Sequence, residues 1–243
     1  MTIPLDLPVG PAVEARPAMR PYTISLCGRF GSVERLVASR HGDALWAELK
    51  GHDWLWTYMA DGPFAEKPAF AAWLAEREKL ADPFCYAIVD KAGRPLGLAT
   101  LMSTRPDMRV IEVGHILLGP SLQRSPLATE AQLLLARYCF EMLGYRRYEW
   151  KCDALNAASR RAALRLGFAF EGIFRNHMIV KGRNRDTAWF AMTDADWPAR
   201  RTALERWLAP ANFDAAGRQH LHLSDLTRPA MSRSFPAPPV AAT

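Results

Sequence analysis

The stretch Ile111–Phe168, IEVGHILLGPSLQRSPLATEAQLLLARYCFEMLGYRRYEWKCDALNAASRRAALRLGF, decides the fold. A strand is predicted at Arg109–Leu118, and after a short polar turn a helix follows from about Ala128 to Met142. A second strand, Tyr148–Cys152, leads into a helix at Asn156–Leu166, which a glycine ends. This alternation of strands and helices is typical of an α/β domain.

Elements of both kinds flank this stretch and extend the same pattern. Pro68–Leu80 has apolar residues at helical spacing and a proline in its predicted first turn. The predicted strands Phe84–Val89 and Pro95–Leu101 are joined by DKAGR, which is typical of a β-hairpin. The remaining predictions are a strand at Tyr22–Cys27, a helix capped by Ser32 or Ser39, strands at Phe168–Phe174 and Thr187–Met192 around a polar loop, and a helix at 195–209.

The chain divides into four predicted segments. We expect an extended, proline-containing arm at 1–21, a main α/β domain at 22–194, a C-terminal helical extension at 195–227 and a disordered tail at 228–243. A chain of 243 residues is long enough to bury a sizeable core without disulfides or metals.

Composition and cysteine usage exclude several classes of protein. With 49% hydrophobic and 23% charged residues, the chain is typical of a soluble globular protein. No apolar run reaches the roughly 18 residues of a membrane span, and the N-terminus lacks the apolar core of a secretory signal. The four cysteines lie far apart, with no CxxC pair and no Cys/His cluster, so we expect neither disulfides nor a metal. These features predict a cytoplasmic protein without a membrane partner.

The net charge of +6 is concentrated in one part of the chain. Between Pro120 and Asp186, twelve Lys and Arg residues face six Asp and Glu residues, and the rest of the chain is balanced. Such a local excess predicts an anionic ligand or, alternatively, solvated basic helix faces. The aromatic residues of this region fall at strand and core positions, so nucleic acid is not expected as the main ligand.

The turn Gln123–Ala128, QRSPLA, connects the first strand and the first helix of the deciding stretch. A helix N-terminus carries unpaired N–H groups and a partial positive charge, which together bind anions. Arg124 and Ser125 add a guanidinium and a hydroxyl, so a pyrophosphate would fit here. The same residues are also compatible with a capped connection that carries a solvated arginine.

Farther along, the segment from Asn156 to Phe168 resembles the NxxSxxxxxxLGF signature of the GNAT superfamily of acetyltransferases. QRSPLA resembles the Q/RxxGxG/A loop with which this superfamily binds the pyrophosphate of acetyl-CoA. The later segments GIFRNH and GRNRDTAW are similar to the branch that contains ribosomal-protein N-acetyltransferases. The resemblance covers about Tyr22 to Asp194. It implies an α/β fold whose mixed, mostly antiparallel sheet is flanked by helices and splayed at the acetyl-CoA site.

The resemblance also implies which residues bind acetyl-CoA, with no metal. Those expected at the pyrophosphate are Gln123, Arg124, Ser125, Leu127, Ala128 and Thr129, and those expected along the pantetheine arm are Ile116, Leu117, Leu118 and Asn156. Pro126 replaces the first glycine of the loop and has no N–H to donate. The N–H groups of Ser125, Leu127, Ala128 and Thr129 are expected to remain available. Asn156 also fits the simpler role of a helix N-cap.

Two residues are candidates for proton transfer. Ser159 matches the residue that, in this branch, contacts the sulfur of CoA and protonates the leaving thiolate. Glu112 matches the glutamate general base of histone-acetylating members, although it can equally be a strand-edge carboxylate paired with an arginine. Strand alternation predicts that Glu112 shares a face with Ile116 and Leu118, and that His115 lies on the opposite face as a core or interface histidine.

These features together predict an acetyl-CoA-dependent N-acetyltransferase that acts on a primary amine of a small molecule or a protein N-terminus. Direct attack is expected, because Cys139 and Cys152 have no predicted base partner for a covalent route. A homodimer is compatible with the sequence. The alternative, motivated by Pro126 and by the absence of a tyrosine at Ala163, is a CoA-binding module with weak catalysis that acts as a sensor or interaction unit.

Overall fold

The computed structural model of this chain describes residues 9–228. Before the first strand, the arm from residue 9 runs without helix or strand. Residues 1–8 of the predicted arm and 229–243 of the predicted tail lie outside the described part. Its strands are β1 Ser25–Cys27, β2 Gly31–Arg35, β3 Phe84–Asp90, β4 Pro95–Arg105, β5 Val110–Leu118, β6 Arg147–Asp153, β7 Ala169–Val180 and β8 Arg183–Thr193. Its α-helices are α1 Ala38–Leu49, α2 Lys67–Lys79, α3 Pro126–Arg137, α4 Ala157–Leu166, α5 Trp197–Leu208 and α6 Leu223–Leu226.

One eight-stranded sheet runs in the order β1-β2-β3-β4-β5-β6-β8-β7. Every neighbouring pair is antiparallel except β5 and β6, which are parallel. Helices cover both faces of the sheet, which confirms the predicted fold class of a mixed, mostly antiparallel sheet flanked by helices. Within the described residues, no helix is both long and apolar enough to cross a membrane.

The core consists of two apolar clusters, one on each face of the sheet. On one face, strand residues such as Ile111 and Val113 pack with α3 and α5. On the other face, Leu98 and Leu117 pack with residues of α1 and α2. We call these the α3 face and the α1 face. The two faces are covered by helices from different parts of the chain.

The sequence prediction was wrong at β2. A helix capped by Ser32 or Ser39 was expected. The helix is present as α1, which begins after Val37 and has Ser39 in its first turn, but the alternative cap Ser32 lies within a five-residue strand. The burial of Gly31 and Val33 alternates with more exposed neighbours, which is the pattern of a strand on a sheet. A five-residue segment with one β-branched residue has too weak a hydrophobic alternation to be recognised as a strand from the sequence alone.

The hairpin of β7 and β8 is longer than predicted. The segment Lys181–Arg185 was expected to be a polar loop, but Lys181 and Gly182 alone form the turn, and Arg183 already pairs with Val180. Most of the outer strand β7 is exposed. The hairpin therefore carries its basic residues on an extended arm beside the α1 face rather than in a separate loop.

Strand β5 is irregular at His115, and beyond this point it separates from β6. The residue has a positive φ of 44°. Leu98 pairs with Leu117 but Thr100 pairs with Gly114, so β5 contains one extra residue between these pairs, which is a β-bulge. The parallel pairing of β5 with β6 ends at Val113, and beyond it the two strands separate. We call this opening the gap.

Candidate active site

The N-terminus of α3 lies at one end of the gap and is capped by its own sequence. Ser125 is the N-cap, and its Oγ accepts a hydrogen bond from the N–H of Ala128 at 3.1 Å. The same hydroxyl donates to the carbonyl of Leu122 at 2.6 Å, and the N–H of Ser125 donates to that carbonyl at 3.2 Å. Two N–H groups of this turn are therefore satisfied within the protein.

The expectation that four N–H groups remain free at this turn is wrong. Those of Ser125 and Ala128 have the partners just described, whereas those of Leu127 and Thr129 make no hydrogen bond to another described residue. Two of the four expected N–H groups, those of Leu127 and Thr129, are therefore unpaired within the described residues. Arg124 lies beside them with an exposed side chain and a positive φ of 59°.

Gln123 connects this turn to strand β5. Its Nε2 donates to the carbonyl of Leu118 at 2.9 Å, so that carbonyl points away from β4 and toward the gap. The next residue, Gly119, donates its N–H to Leu96 of β4, as the alternation of an antiparallel ladder requires. Leu117 pairs with Leu98 and is buried, so the geometry favours Leu118 and half-buried Ile116 over Leu117 as partners for an added strand.

The start of α4 lies across the gap from α3. Asn156 is the N-cap, and its Oδ1 accepts a hydrogen bond from the N–H of Ser159 at 3.0 Å. The side-chain nitrogen of Asn156, Nδ2, has no partner in the described part of the chain. Ser159 Oγ accepts a hydrogen bond from the indole of Trp150 at 3.0 Å, which leaves the hydroxyl proton of Ser159 to be donated elsewhere.

Two further basic residues bind within the protein rather than facing a ligand. Arg165 on α4 donates to the buried hydroxyl of Thr129 at 3.0 Å and stacks over Trp207. This contact joins α3 to α4 and removes the side chain of Thr129 from the pyrophosphate region. Arg160 donates to the carbonyl of Ala154 at 3.2 Å.

Glu112 is buried in an ion-pair network on the α1 face. Its Oε2 lies 2.8 Å from Lys151 Nζ and accepts a hydrogen bond from the hydroxyl of Ser103 at 3.1 Å. Lys151 also lies 2.9 Å from Glu149 and 4.0 Å from the ring centroid of Trp189. The predicted alternative of a strand carboxylate paired with a cation is therefore what the structure shows, with lysine in place of arginine.

The β-bulge overturns the predicted sidedness of β5. Because one extra residue is inserted, Glu112 lies on the α1 face together with Leu117. Leu118 packs against the cluster on the α3 face instead. His115 was expected on the face opposite Glu112, yet its ring contacts Thr100, whose partner across the strands is Gly114 of the α1 face. A sequence period of two cannot show a bulge.

His115 has the geometry of a general base. Thr100 Oγ1 donates its proton to the carbonyl of Gly114 at 3.0 Å. Because that proton is used, Thr100 Oγ1 can only accept a hydrogen bond from His115 Nδ1, which lies 3.4 Å away. The Nδ1–H tautomer leaves Nε2 with a lone pair and no partner among the described residues. Burial, followed by the charges of Arg77 and Arg185, lowers the pKa of His115, and Asp61 opposes this effect. The neutral form is therefore favoured near neutral pH.

One wall on the α1 side of the gap comes from distant parts of the chain that the motifs do not include. Arg77 of α2 forms an ion pair with Asp61. At the tip of the β7–β8 hairpin, Lys181 donates to the carbonyl of Trp56 at 2.9 Å, and Tyr58 donates to the carbonyl of Leu155 at 3.2 Å. These contacts connect the loop between α1 and α2 to the other side of the gap. The sequence offered one signal for this wall, the basic run at 181–185.

Three cysteines are unsuited to nucleophilic chemistry. Burial raises the pKa of Cys85 to about 12 and raises those of Cys139 and Cys152 as well. A thiol with a raised pKa supplies little thiolate near neutral pH. In the part of the chain that the structure describes, no cluster of three His, Cys, Asp or Glu residues could hold a metal ion.

The comparisons with known proteins agree with this geometry. A family model described as the acetyltransferase (GNAT) domain matches residues 35–169. The chain is similar to a GCN5-related N-acetyltransferase from Brucella melitensis, with 46% identity and a TM-score of 0.85 over 87% of this chain and 97% of that one. It is also similar to a probable acetyltransferase of the GNAT family from Chromobacterium violaceum, with 40% identity and a TM-score of 0.75 over 81% of this chain and all of that one.

More distant structures share the fold alone. A ribosomal-protein-S5-alanine acetyltransferase from Vibrio fischeri is 19% identical, with a TM-score of 0.57 over 72% of this chain and 98% of that one. A search of curated proteins found no match.

Proposed function

This chain belongs to the GNAT acetyltransferases and is an acyltransferase, and from that premise we propose that it moves the acetyl group of acetyl-CoA directly onto a primary amine. The observation that carries the proposal is the gap between β5 and β6. One end of the gap holds an unpaired helix N–H, and its α1 side holds a histidine with a free ring nitrogen. A donor and an acceptor can therefore approach one opening from opposite sides of the sheet.

The α3 side supplies contacts that fit acetyl-CoA. The N–H of Leu127 and the exposed guanidinium of Arg124 favour a pyrophosphate at the start of α3. The backbone of Ile116 and Leu118 lies along the gap, where an amide-bearing arm can add as a strand. The side-chain Nδ2 of Asn156 is free to donate to that arm, while the side-chain Oδ1 caps α4.

Ser159 is our proposed general acid. Because Trp150 donates to its oxygen, the hydroxyl is oriented by one hydrogen bond and its proton points elsewhere. In the proposed reaction the amine nitrogen bonds to the carbonyl carbon and the C–S bond breaks. The proton of Ser159 goes to the departing thiolate, and Ser159 regains a proton from solvent. Trp150 is then a positioning residue, since it acts through Ser159.

Two residues compete for the role of general base. Glu112 is the carboxylate that the resemblance implies, but both Lys151 and Ser103 already bind its Oε2. His115 has a free Nε2 and a lowered pKa, so it is neutral and unoccupied under the conditions in which a base is needed. We favour His115 as the group that accepts the proton of the amine, with Glu112 holding Lys151 in place.

The alternative function, a CoA-binding module with weak catalysis, is supported by a specific observation. The hydrogen bonds of Ser125 and Ala128 leave two of the four expected N–H groups unpaired at the start of α3, and a site with fewer donors binds a pyrophosphate more weakly. Calorimetry with CoA, followed by CoA release from acetyl-CoA with a panel of primary amines, separates the two proposals. Amine-dependent release supports the enzyme, binding without release on any amine supports the module, and no binding at millimolar CoA contradicts both.

A further inference from the structure

Arg185 is a half-buried cation with no anionic partner. It lies near the start of β8, opposite Met178 of β7. Its Nε is shielded from solvent and makes no hydrogen bond, and its guanidinium forms neither a hydrogen bond nor an ion pair within residues 9–228. A half-buried charge without a partner is less favourable than a paired one, so such a group is expected where a ligand completes it.

Three other cations on this side of the sheet have acceptors. Lys151 is held by Glu112 and Glu149, and Arg77 is paired with Asp61. Lys181 donates to a backbone carbonyl at the tip of the hairpin. Arg183 on the same strand also makes no hydrogen bond or ion pair within the described residues, but it is exposed to water. Arg185 differs from these neighbours because it is half-buried and has no partner.

The position of Arg185 is on the acceptor side of the gap. Alternation along β8 places it on the same face as Thr187, whose hydroxyl lies 3.0 Å from the ring of His177. Trp189 follows on that face and contacts Lys151. The charge of Arg185 also reaches His115, since it contributes to the lowered pKa of that histidine.

We propose that Arg185 binds a carboxylate of the acceptor, so that the substrate is a small molecule carrying both a primary amine and a carboxylate. This inference rests on the proposed function, because it places the amine at His115. A guanidinium matches the two oxygens of a carboxylate with two parallel hydrogen bonds, and partial burial strengthens them. The acceptor would then extend from Arg185 toward His115, past the aromatic pair of Phe174 and Trp189.

The test compares matched amines that differ only in the carboxylate. Binding of phenylalanine against phenethylamine, and of lysine against cadaverine, is measured by calorimetry on the full chain saturated with CoA. Phosphoethanolamine serves as the phosphate-bearing probe. In the unmodified protein we expect the carboxylate member of at least one pair to bind about tenfold more tightly.

Three variants localise the effect. Arg185→Gln should abolish the preference, Arg185→Lys should retain part of it, and Arg183→Gln, which removes an exposed charge two residues away, should leave it unchanged. Melting temperatures confirm that each variant folds, and Arg185→Lys stands in if Arg185→Gln does not. Equal binding within both pairs, no binding of any member, stronger binding of the phosphate probe, or a preference that survives in Arg185→Gln overturns the proposal.

Failure of this inference is distinguishable from failure of the proposed function. CoA binding and amine-dependent release of CoA are measured without reference to the carboxylate. If amines without a carboxylate are acetylated as well as those with one, the acetyltransferase proposal stands and the role of Arg185 is contradicted.

Discussion

The two sides of the gap are built in different ways. On the α3 side, the groups proposed for the cofactor lie in two short runs, 123–129 and 156–159, and most of their hydrogen bonds close within the same turn. On the α1 side, the charges that lower the pKa of His115 belong to Arg77 and Arg185, which lie far away in sequence. A short motif can encode the first kind of site, because local bonds fix it. The second kind exists only once the sheet has formed.

The largest effect is expected on the α1 side. His115→Gln keeps a polar side chain but removes the free ring nitrogen, so turnover should fall by about 10²–10⁴ with CoA affinity retained. Glu112→Gln serves as the comparison, because it should lower turnover only a few fold. Steady-state kinetics with saturating acetyl-CoA measures both, and a larger loss in Glu112→Gln would make the carboxylate the base.

Glu112→Gln should instead act on stability. The change leaves Lys151 with Glu149 as its remaining carboxylate partner in a buried position, which should cost about 1–3 kcal/mol of the free energy of unfolding. Urea denaturation of this variant and of the unmodified protein gives the difference. An unchanged free energy of unfolding would show that the network is not structural.

A smaller loss of turnover is expected on the α3 side. Ser159→Ala should lower turnover by roughly tenfold to a hundredfold while CoA binds within a few fold, because the hydroxyl acts on the departing thiolate. Trp150→Phe removes the donor to Ser159 but keeps the hydroxyl, and its loss should be smaller. Equal turnover in Ser159→Ala and the unmodified chain would mean that water protonates the thiolate.

The smallest effects concern binding of the cofactor. Arg124→Ala should weaken CoA binding a few fold at low salt and less at high salt, because its exposed side chain acts mainly through charge. Asn156→Ala provides the contrast, since it should cost about 1 kcal/mol of stability through the lost cap at any salt concentration. Titration calorimetry with CoA at two ionic strengths measures the effect of Arg124→Ala on affinity, and scanning calorimetry at the same two ionic strengths measures the effect of Asn156→Ala on stability. A salt-independent effect of Arg124→Ala would contradict a Coulombic role.

The sequence predicted the elements that local signals define. The strand β5 and the helices α3 and α4 were found within a few residues, since Gln123–Ala128 and Gly167 fix where the helices begin or end. Strand β2 and the bulge at His115 were missed, because a short strand and an inserted residue are defined by neighbouring strands rather than by their own pattern.

The candidate site divides in the same way. Asn156 and Ser159 follow from the motif, and the structure shows what each one binds within the protein. The free N–H groups at α3 were overestimated, because the sequence does not show that Ser125 turns its hydroxyl onto Ala128. The pairing of Glu112 with Lys151 and the lone charge of Arg185 depend on tertiary contacts that span 39 residues in the first case.

The dependence of kcat/KM on pH tests the role of His115 most directly. The lowered pKa of this histidine means that the base is lost only as pH falls below its ordinary value of 6.5. In the unmodified enzyme, a plot of log kcat/KM against pH should therefore steepen by about one unit of slope below pH 6.5, and His115→Gln should lack this break. A break that persists in His115→Gln and disappears in Glu112→Gln would contradict the account and assign the base to the carboxylate.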